Sequence, residues 1–441
     1  MSGMNSIQIL GGRLIDPANG IDAIRDLYIQ NGRVLAIGER PDDFTAQHTI
    51  DADGLIVCPG LVDLSARMRE PGQEHITTIA SETAVAARSG ITTLCCPPDT
   101  DPIIDTPAVV TLLLRRAKRA ARARVLPIGA MTQQLAGEHL SEMVALKRAG
   151  CVAMSNAYAP LANTLVERRA LEYAATFGIT AILRPEDRHL RNNGYAHEGP
   201  VSARLGLPGI PEAAESVAVA RDLALAEHTG CRIHFHLLSS GTAARMIEQA
   251  QQQRLQVSAN VAAHQLHLTE MDIEEFNSNC HLNPPLRSLA DRDALRLAVA
   301  KGVIGAICSD HQPLKADAKE APFPSTATGM AGLQTLLPLT LKLVDEGVLG
   351  LSEAIARITC GPADILDLPY GRLTPGSSAD LCLFDPNKHW ELKRDELPSA
   401  GRNTPFIGWE FQGQVTHTLF EGRIVYQSAS STQAVTSAPS M

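Results

Sequence analysis

Seven short apolar runs in the middle of this chain alternate with stretches of helical character. The runs are residues 90–96, 123–130, 151–154, 180–183, 232–238, 257–263 and 303–308. Helical periodicity is clearest over residues 106–121, 213–228, 243–253 and 291–301. Strands that alternate with helices imply parallel βαβ units, because two parallel strands need a long crossover between them. The number and length of the units predict a (β/α)8 barrel rather than an open, doubly wound sheet. At 441 residues the chain has room for such a barrel and one smaller domain.

The two ends of the chain read as all-β. Within residues 6–58, short apolar runs lie at 7–10, 26–29 and 33–38, and Asn31-Gly32 between the last two is a type I′ hairpin signal. Within residues 379–428, runs at 379–385, 414–420 and 423–426 look similar, with Gly422 at the last turn. Two β segments at opposite ends of a chain can complete one small sandwich. The expected division is residues 1–58 and 366–428 for the sandwich, 59–365 for the barrel, and a disordered, Ser/Thr/Ala/Pro-rich tail at 429–441.

Composition excludes several classes. The net charge is -9, which gives no global reason to expect nucleic acid or an anionic membrane as a partner. No apolar run approaches the ~20 residues of a membrane span, and the first residues lack the pattern of a signal peptide. Nine cysteines are scattered, with no paired CxxC. Neither a zinc ribbon nor a disulfide framework is indicated, and reduced, buried thiols in a cytoplasmic protein are expected.

Residues 57–72 read Val-Cys-Pro-Gly-Leu-Val-Asp-Leu-Ser-Ala-Arg-Met-Arg-Glu-Pro-Gly, a buried strand that opens the barrel and ends in a polar turn. Further motifs follow: Gly90-Ile91-Thr92-Thr93 through Pro97-Pro98-Asp99-Thr100, Gly129-Ala130-Met131-Thr132, His197-Glu198-Gly199 through Pro211, Asn283-Pro284-Pro285-Leu286-Arg287, and Ser309-Asp310-His311-Gln312-Pro313. In this order they resemble the dihydroorotases among the metal-dependent cyclic amidohydrolases, over nearly the whole chain. The resemblance implies a (β/α)8 barrel with a β-sandwich built from both chain ends.

The resemblance also implies a metal site, with two His on the first strand, a carboxylate on the fourth and single His on the fifth and sixth. Here those positions hold Ser65, Arg67, Asn156, Arg184 and Leu237. Zinc needs three or four N, O or S ligands to bind and to activate water, so neither metal nor other cofactor is expected. Asp310 matches the family's catalytic base. Arg69 and Asn283 match substrate-contacting positions, Asp99 replaces an Asn, and Leu314 replaces a His. For Arg69 a structural ion pair with Glu70 or a neighbour is the favoured reading. Arg67 and Arg184 bring positive charge where the family holds Zn²⁺, and a guanidinium paired with Asp310 or Glu186 is expected to stand in part for the metal charge; the alternative is an arginine side chain turned out to solvent, which for Arg184 has equal weight. His236 lies one residue before Leu237, and strict alternation points it to the other face.

A frame that keeps its loops and lacks these ligands resembles the dihydroorotase-like, non-catalytic chains of bacterial aspartate carbamoyltransferase. The resemblance implies a catalytically inactive chain that assembles with the transcarbamoylase catalytic chain in pyrimidine biosynthesis, as a homodimer or larger assembly. Two alternatives remain: an amidohydrolase with a relocated metal on His234, His236 and Asp310 or with metal-free Asp310 chemistry, and a metabolite sensor using Arg69 and Asn283. His264 and His267 read as loop contacts. The basic run 115–124 reads as a solvated helix end, or as a contact for an acidic partner subunit.

Overall fold

The computed structural model describes residues 6–429. Eight parallel strands follow one another around a barrel: β1 Leu61–Asp63, β2 Ile91–Cys96, β3 Arg124–Ala130, β4 Ala153–Ser155, β5 Ala181–Leu183, β6 Ile233–Phe235, β7 Val257–Ala262 and β8 Ala306–Cys308. Their spatial order is their chain order. The ring closes beyond the ends of β1 and β8, where Ala66 bridges to His311 and the Arg67 N–H donates to the His311 carbonyl at 2.9 Å. The expected barrel is therefore present.

Helices wrap the outside: α1 Ile79–Arg88, α2 Pro107–Ala120, α3 Met143–Ala149, α4 Thr164–Thr176, α5 Ala213–Thr229, α6 Gly241–Gln252, α7 Leu289–Ala300 and α8 Leu336–Asp345. Several begin at a polar cap. Thr78 and Ser81 form a reciprocal capping box at α1, and the Asn163 side chain accepts from the first amides of α4. Strand parity separates two cores. Leu64, Cys95, Ile128, Ala153, Ile182 and Cys308 fill the barrel interior. Residues one step away, such as Leu94, Met154, Ile233 and Phe235, pack under the helices.

Both chain ends meet in a sandwich. One sheet orders its strands Arg33–Ile37, Leu27–Gln30, Ser6–Leu10, His48–Asp51. The other orders Arg423–Gln427, Glu410–Phe420, Leu381–Glu391, Ile56–Pro59, Arg13–Asp16, Ile21–Ile24, so N- and C-terminal strands share one sheet. Ile7, Ile9, Leu27, Ile29, Leu381 and Leu419 form a core of their own. At the Asn31-Gly32 turn both residues have positive φ, 52° and 80°, as a type I′ turn requires. All nine cysteines are free and buried. Residues 430–441 of the expected tail lie outside the described residues. Among the described residues no helix is long and apolar enough to cross a membrane.

Candidate functional site at the barrel mouth

The residues just beyond the strand ends converge on Asp310, two residues past β8. A barrel of this kind places its chemistry at this C-terminal rim. The Asp310 carboxylate is buried and accepts four side-chain hydrogen bonds from three neighbours. The Tyr158 hydroxyl reaches both oxygens at 3.0 and 3.1 Å, Gln312 Nε2 one oxygen at 3.0 Å, and Ser65 Oγ the other at 3.3 Å. Arg67 Nη1 lies 3.5 Å from it. Burial raises the Asp310 pKa, while Arg67 and the hydrogen bonds pull it back.

Arg67 and Arg184 are both buried, each 7% exposed, which excludes side chains turned out to solvent. Arg67 Nε pairs with Asp99 at 2.8 Å. Arg184 Nη2 pairs with Glu186 at 2.9 Å and donates to Asn283 Oδ1. The two guanidiniums also share one aromatic ring. Arg67 Cζ lies 4.4 Å and Arg184 Cζ 4.5 Å from the Tyr158 ring centroid, where the π face attracts cations. Arg67 thus joins Asp99, Asp310 and Tyr158, and its pKa is raised by the two carboxylates and the phenol against the cost of burial.

Tyr158 is the residue the sequence reading missed. It follows Asn156 by two positions in the loop after β4. Only 4% of the chain is aromatic, and this tyrosine stands beside a strand end already assigned to the mouth. That pairing was the available signal. Burial and Asp310 push its hydroxyl pKa up, so it stays a neutral donor.

The remaining predicted positions have separate roles. Asn156 pins its loop: Oδ1 accepts from Thr132 N at 3.2 Å and Thr132 Oγ1 at 2.9 Å, and Nδ2 donates to the carbonyls of Leu135 at 3.2 Å and Ala159 at 2.9 Å. Leu237 is buried in the interior cluster. Alternation, however, does not turn His236 away. β5 and β6 pair Ile182 with His234, which places His234 on the interior face, and His236 two residues on keeps that face. Its ring lies 6.3 Å from that of His234, and Arg67 and Arg184 help burial hold it neutral. Leu237 also turns inward because its φ of 61° breaks the strand's alternation. Arg69 forms no ion pair with Glu70, contrary to expectation. It donates to the Pro313 carbonyl at 3.0 Å, while Glu70 pairs with Arg116 at 2.8 Å. His267 contacts the Leu339 carbonyl of α8 at 2.8 Å, a polar contact as expected, whereas His264 is buried and its Nδ1 has no hydrogen-bond partner among the described residues.

These residues do not fit zinc. No group of three His, Cys, Asp or Glu stands ready to hold a metal ion among the described residues. The relocated set fails at its third member, because the Asp310 carboxylate is enclosed by its donors Tyr158, Gln312 and Ser65. Two guanidiniums would face the ion directly.

The family models agree with the fold. A model described as dihydro-orotase-like matches residues 54–242, and one for the amidohydrolase family matches residues 186–426. A dihydroorotase-like protein of Pseudomonas aeruginosa is 49% identical over 96% of this chain and 100% of its own length. The chain belongs to the dihydroorotase-like amidohydrolases. A protein of Geobacter sp. (strain M21) named dihydroorotase is 42% identical over 96% of this chain and 100% of its own. Among solved structures, the L-hydantoinase (dihydropyrimidinase) of Arthrobacter aurescens superposes with a TM-score of 0.87, 23% identity and 96% coverage of both chains. The dihydropyrimidinase of Brevibacillus agri gives 0.84 and 20%, covering 96% of this chain and 95% of its own. The expectation that the chain is not an enzyme is corrected by these findings. Relatives at 40–42% identity over at least 95% of this chain carry an enzyme's name, dihydroorotase. Altered ligand positions alone had carried that expectation.

Proposed function

We propose that this dihydroorotase-like chain acts in pyrimidine biosynthesis as a subunit that binds the aspartate carbamoyltransferase catalytic chain and stabilises its assembly. One observation carries the reading: the barrel mouth is filled by the chain's own Arg67, Tyr158 and Arg184 around Asp310. A mouth filled in this way favours a role for the outer surface. The partner in this reading is taken from the resemblance of the sequence motifs to the dihydroorotase-like chains of aspartate carbamoyltransferase. Size-exclusion chromatography of the two purified proteins, separately and mixed, tests it. The mixture is expected to elute as one larger species, and two unshifted peaks would reject the assembly.

The names of the relatives favour a second reading, cyclic amide hydrolysis at the same mouth. In that chemistry Asp310 would take and return the proton, and Tyr158 would have to swing off its carboxylate to admit a ring. Ring opening of dihydroorotate by the wild type, lost in Asp310→Asn, would support it. Equal rates in both proteins would assign the activity elsewhere.

A further inference from the structure

The last turns of α2 and the residue just beyond them carry a strip of cations that the fold does not use. Arg115, Lys118, Arg119 and Arg122 are exposed, and none forms an ion pair or side-chain hydrogen bond among the described residues. Their neighbours differ: Arg116 pairs with Glu70 and Glu74, and Arg124 pairs with Asp380 at 2.7 Å. From Pro107 to Arg124 there is no Asp or Glu at all, in a chain whose net charge is -9. Arg115 and Arg119 stand four residues apart on one helix, where like charges repel. The helix dipole offsets part of that cost at a C-terminus, but only within the last turn.

Beside the strip runs a groove. A cavity of about 400 Å³ opens between α2 and the final hairpin, lined by Leu114, Ala117, Val125 and Phe420, with Lys118 and Arg423 at its edge. A polar cavity of about 680 Å³ continues from it past Arg124 and Glu421 to Arg33. The rim also holds Glu421, which pairs with Arg124 at 3.5 Å and Arg423 at 3.7 Å, so Lys118 and the strip beside it supply the unpaired positive charge. An apolar floor beside such a strip suits a protein segment that carries an aliphatic side chain among carboxylates. Nucleic acid is less well suited, since the floor offers small aliphatic side chains and a single ring rather than a stacking platform.

We infer that this strip and groove form the docking surface for a carboxylate-rich face of the transcarbamoylase chain. The inference rests on the assembly proposed above and adds where, and by which charges, the partner is held. The test uses the full chain with Arg115, Lys118, Arg119 and Arg122 all changed to Gln, which removes the charge and keeps helix-forming side chains. Thermal melting confirms that the variant folds, and association with the transcarbamoylase is followed by analytical ultracentrifugation.

Wild-type association is expected to weaken as salt rises from about 0.1 M to about 1 M, where the screening length falls from roughly 10 to roughly 3 Å. The glutamine variant is expected to bind on the order of tenfold more weakly, with a flatter salt dependence. A Leu114→Ala variant is expected to bind more weakly with the salt dependence retained. If the wild type associates and the glutamine variant associates equally well, this surface is wrong and the assembly stands. If the wild type does not associate, both fail. If single-stranded RNA binds the wild type and not the variant while transcarbamoylase binding is unchanged, the strip serves nucleic acid and the inference is overturned.

Discussion

Arg67 does the most varied work of any residue at the barrel mouth. It neutralises Asp99, faces Asp310 and lies on the Tyr158 ring. Removing one partner of a buried ion pair leaves an uncompensated charge and costs about 3–5 kcal/mol. Arg67→Ala is therefore expected to destabilise the chain by about that amount, measured by urea unfolding. Adding Asp310→Asn to Arg67→Ala should recover part of the loss, because the orphaned carboxylate is then gone. Equal stability of Arg67→Ala and wild type would refute the pairing.

Restoring histidines tests the same residues from another side. Ser65→His with Arg67→His is expected to hold less than one equivalent of zinc by elemental analysis. Asn156 remains committed to its loop and Arg184 remains a cation at the mouth. Stoichiometric zinc in that double variant would show that the other strands still offer ligands.

At the scale of elements, α4 and α5 pack across a buried acid pair. Arg221 reaches Glu167 at 3.0 Å and Asp222 at 2.8 Å, and both carboxyls are almost fully buried. Burial first, and then the Asp222 charge, push the Glu167 pKa to about 9. Its folded value lies above its ordinary 4.5, so the native chain binds a proton that the unfolded chain releases. The stabilisation is full below about 4.5 and is lost as pH rises towards about 9. Glu167→Gln is expected to flatten the fall in stability over that window, read from urea midpoints at pH 6 and pH 9. Parallel slopes for the two proteins would remove Glu167 from the account.

The elements also show what the sequence could and could not disclose. Barrel strands were legible because a fully buried parallel strand leaves a short unbroken apolar run, as in Ile91–Cys96. The Asn31-Gly32 hairpin was legible because few other dipeptides take positive φ twice. His236 was misjudged because alternation was counted back from Leu237, whose left-handed backbone breaks the period. That Arg67 turns inward was legible in the sequence, whereas for Arg184 the sequence left an outward and an inward side chain equally open, and both are buried. Their shared aromatic ring was not legible, since Tyr158 comes from a loop whose path depends on how Asn156 ties it down.

On the scale of the whole molecule, one continuous segment passes from the sandwich into the barrel. Ile56–Pro59 pairs with Leu381–Glu391 in the sandwich, and the same chain continues as β1 after Gly60. That glycine has no room for a side chain: an added Cβ would lie 2.2 Å from Thr92 Oγ1 on β2. A seam this tight couples the two cores mechanically. Heat should melt them together, giving one calorimetric transition whose van't Hoff and calorimetric enthalpies agree. Two resolved transitions would mean that the seam yields first. Cutting the chain before residue 381 should leave no stable barrel, because the truncation strips the partner from the strand that feeds β1. The protein is in this sense indivisible, and a binding partner that grips the final hairpin also has hold of the barrel's first strand.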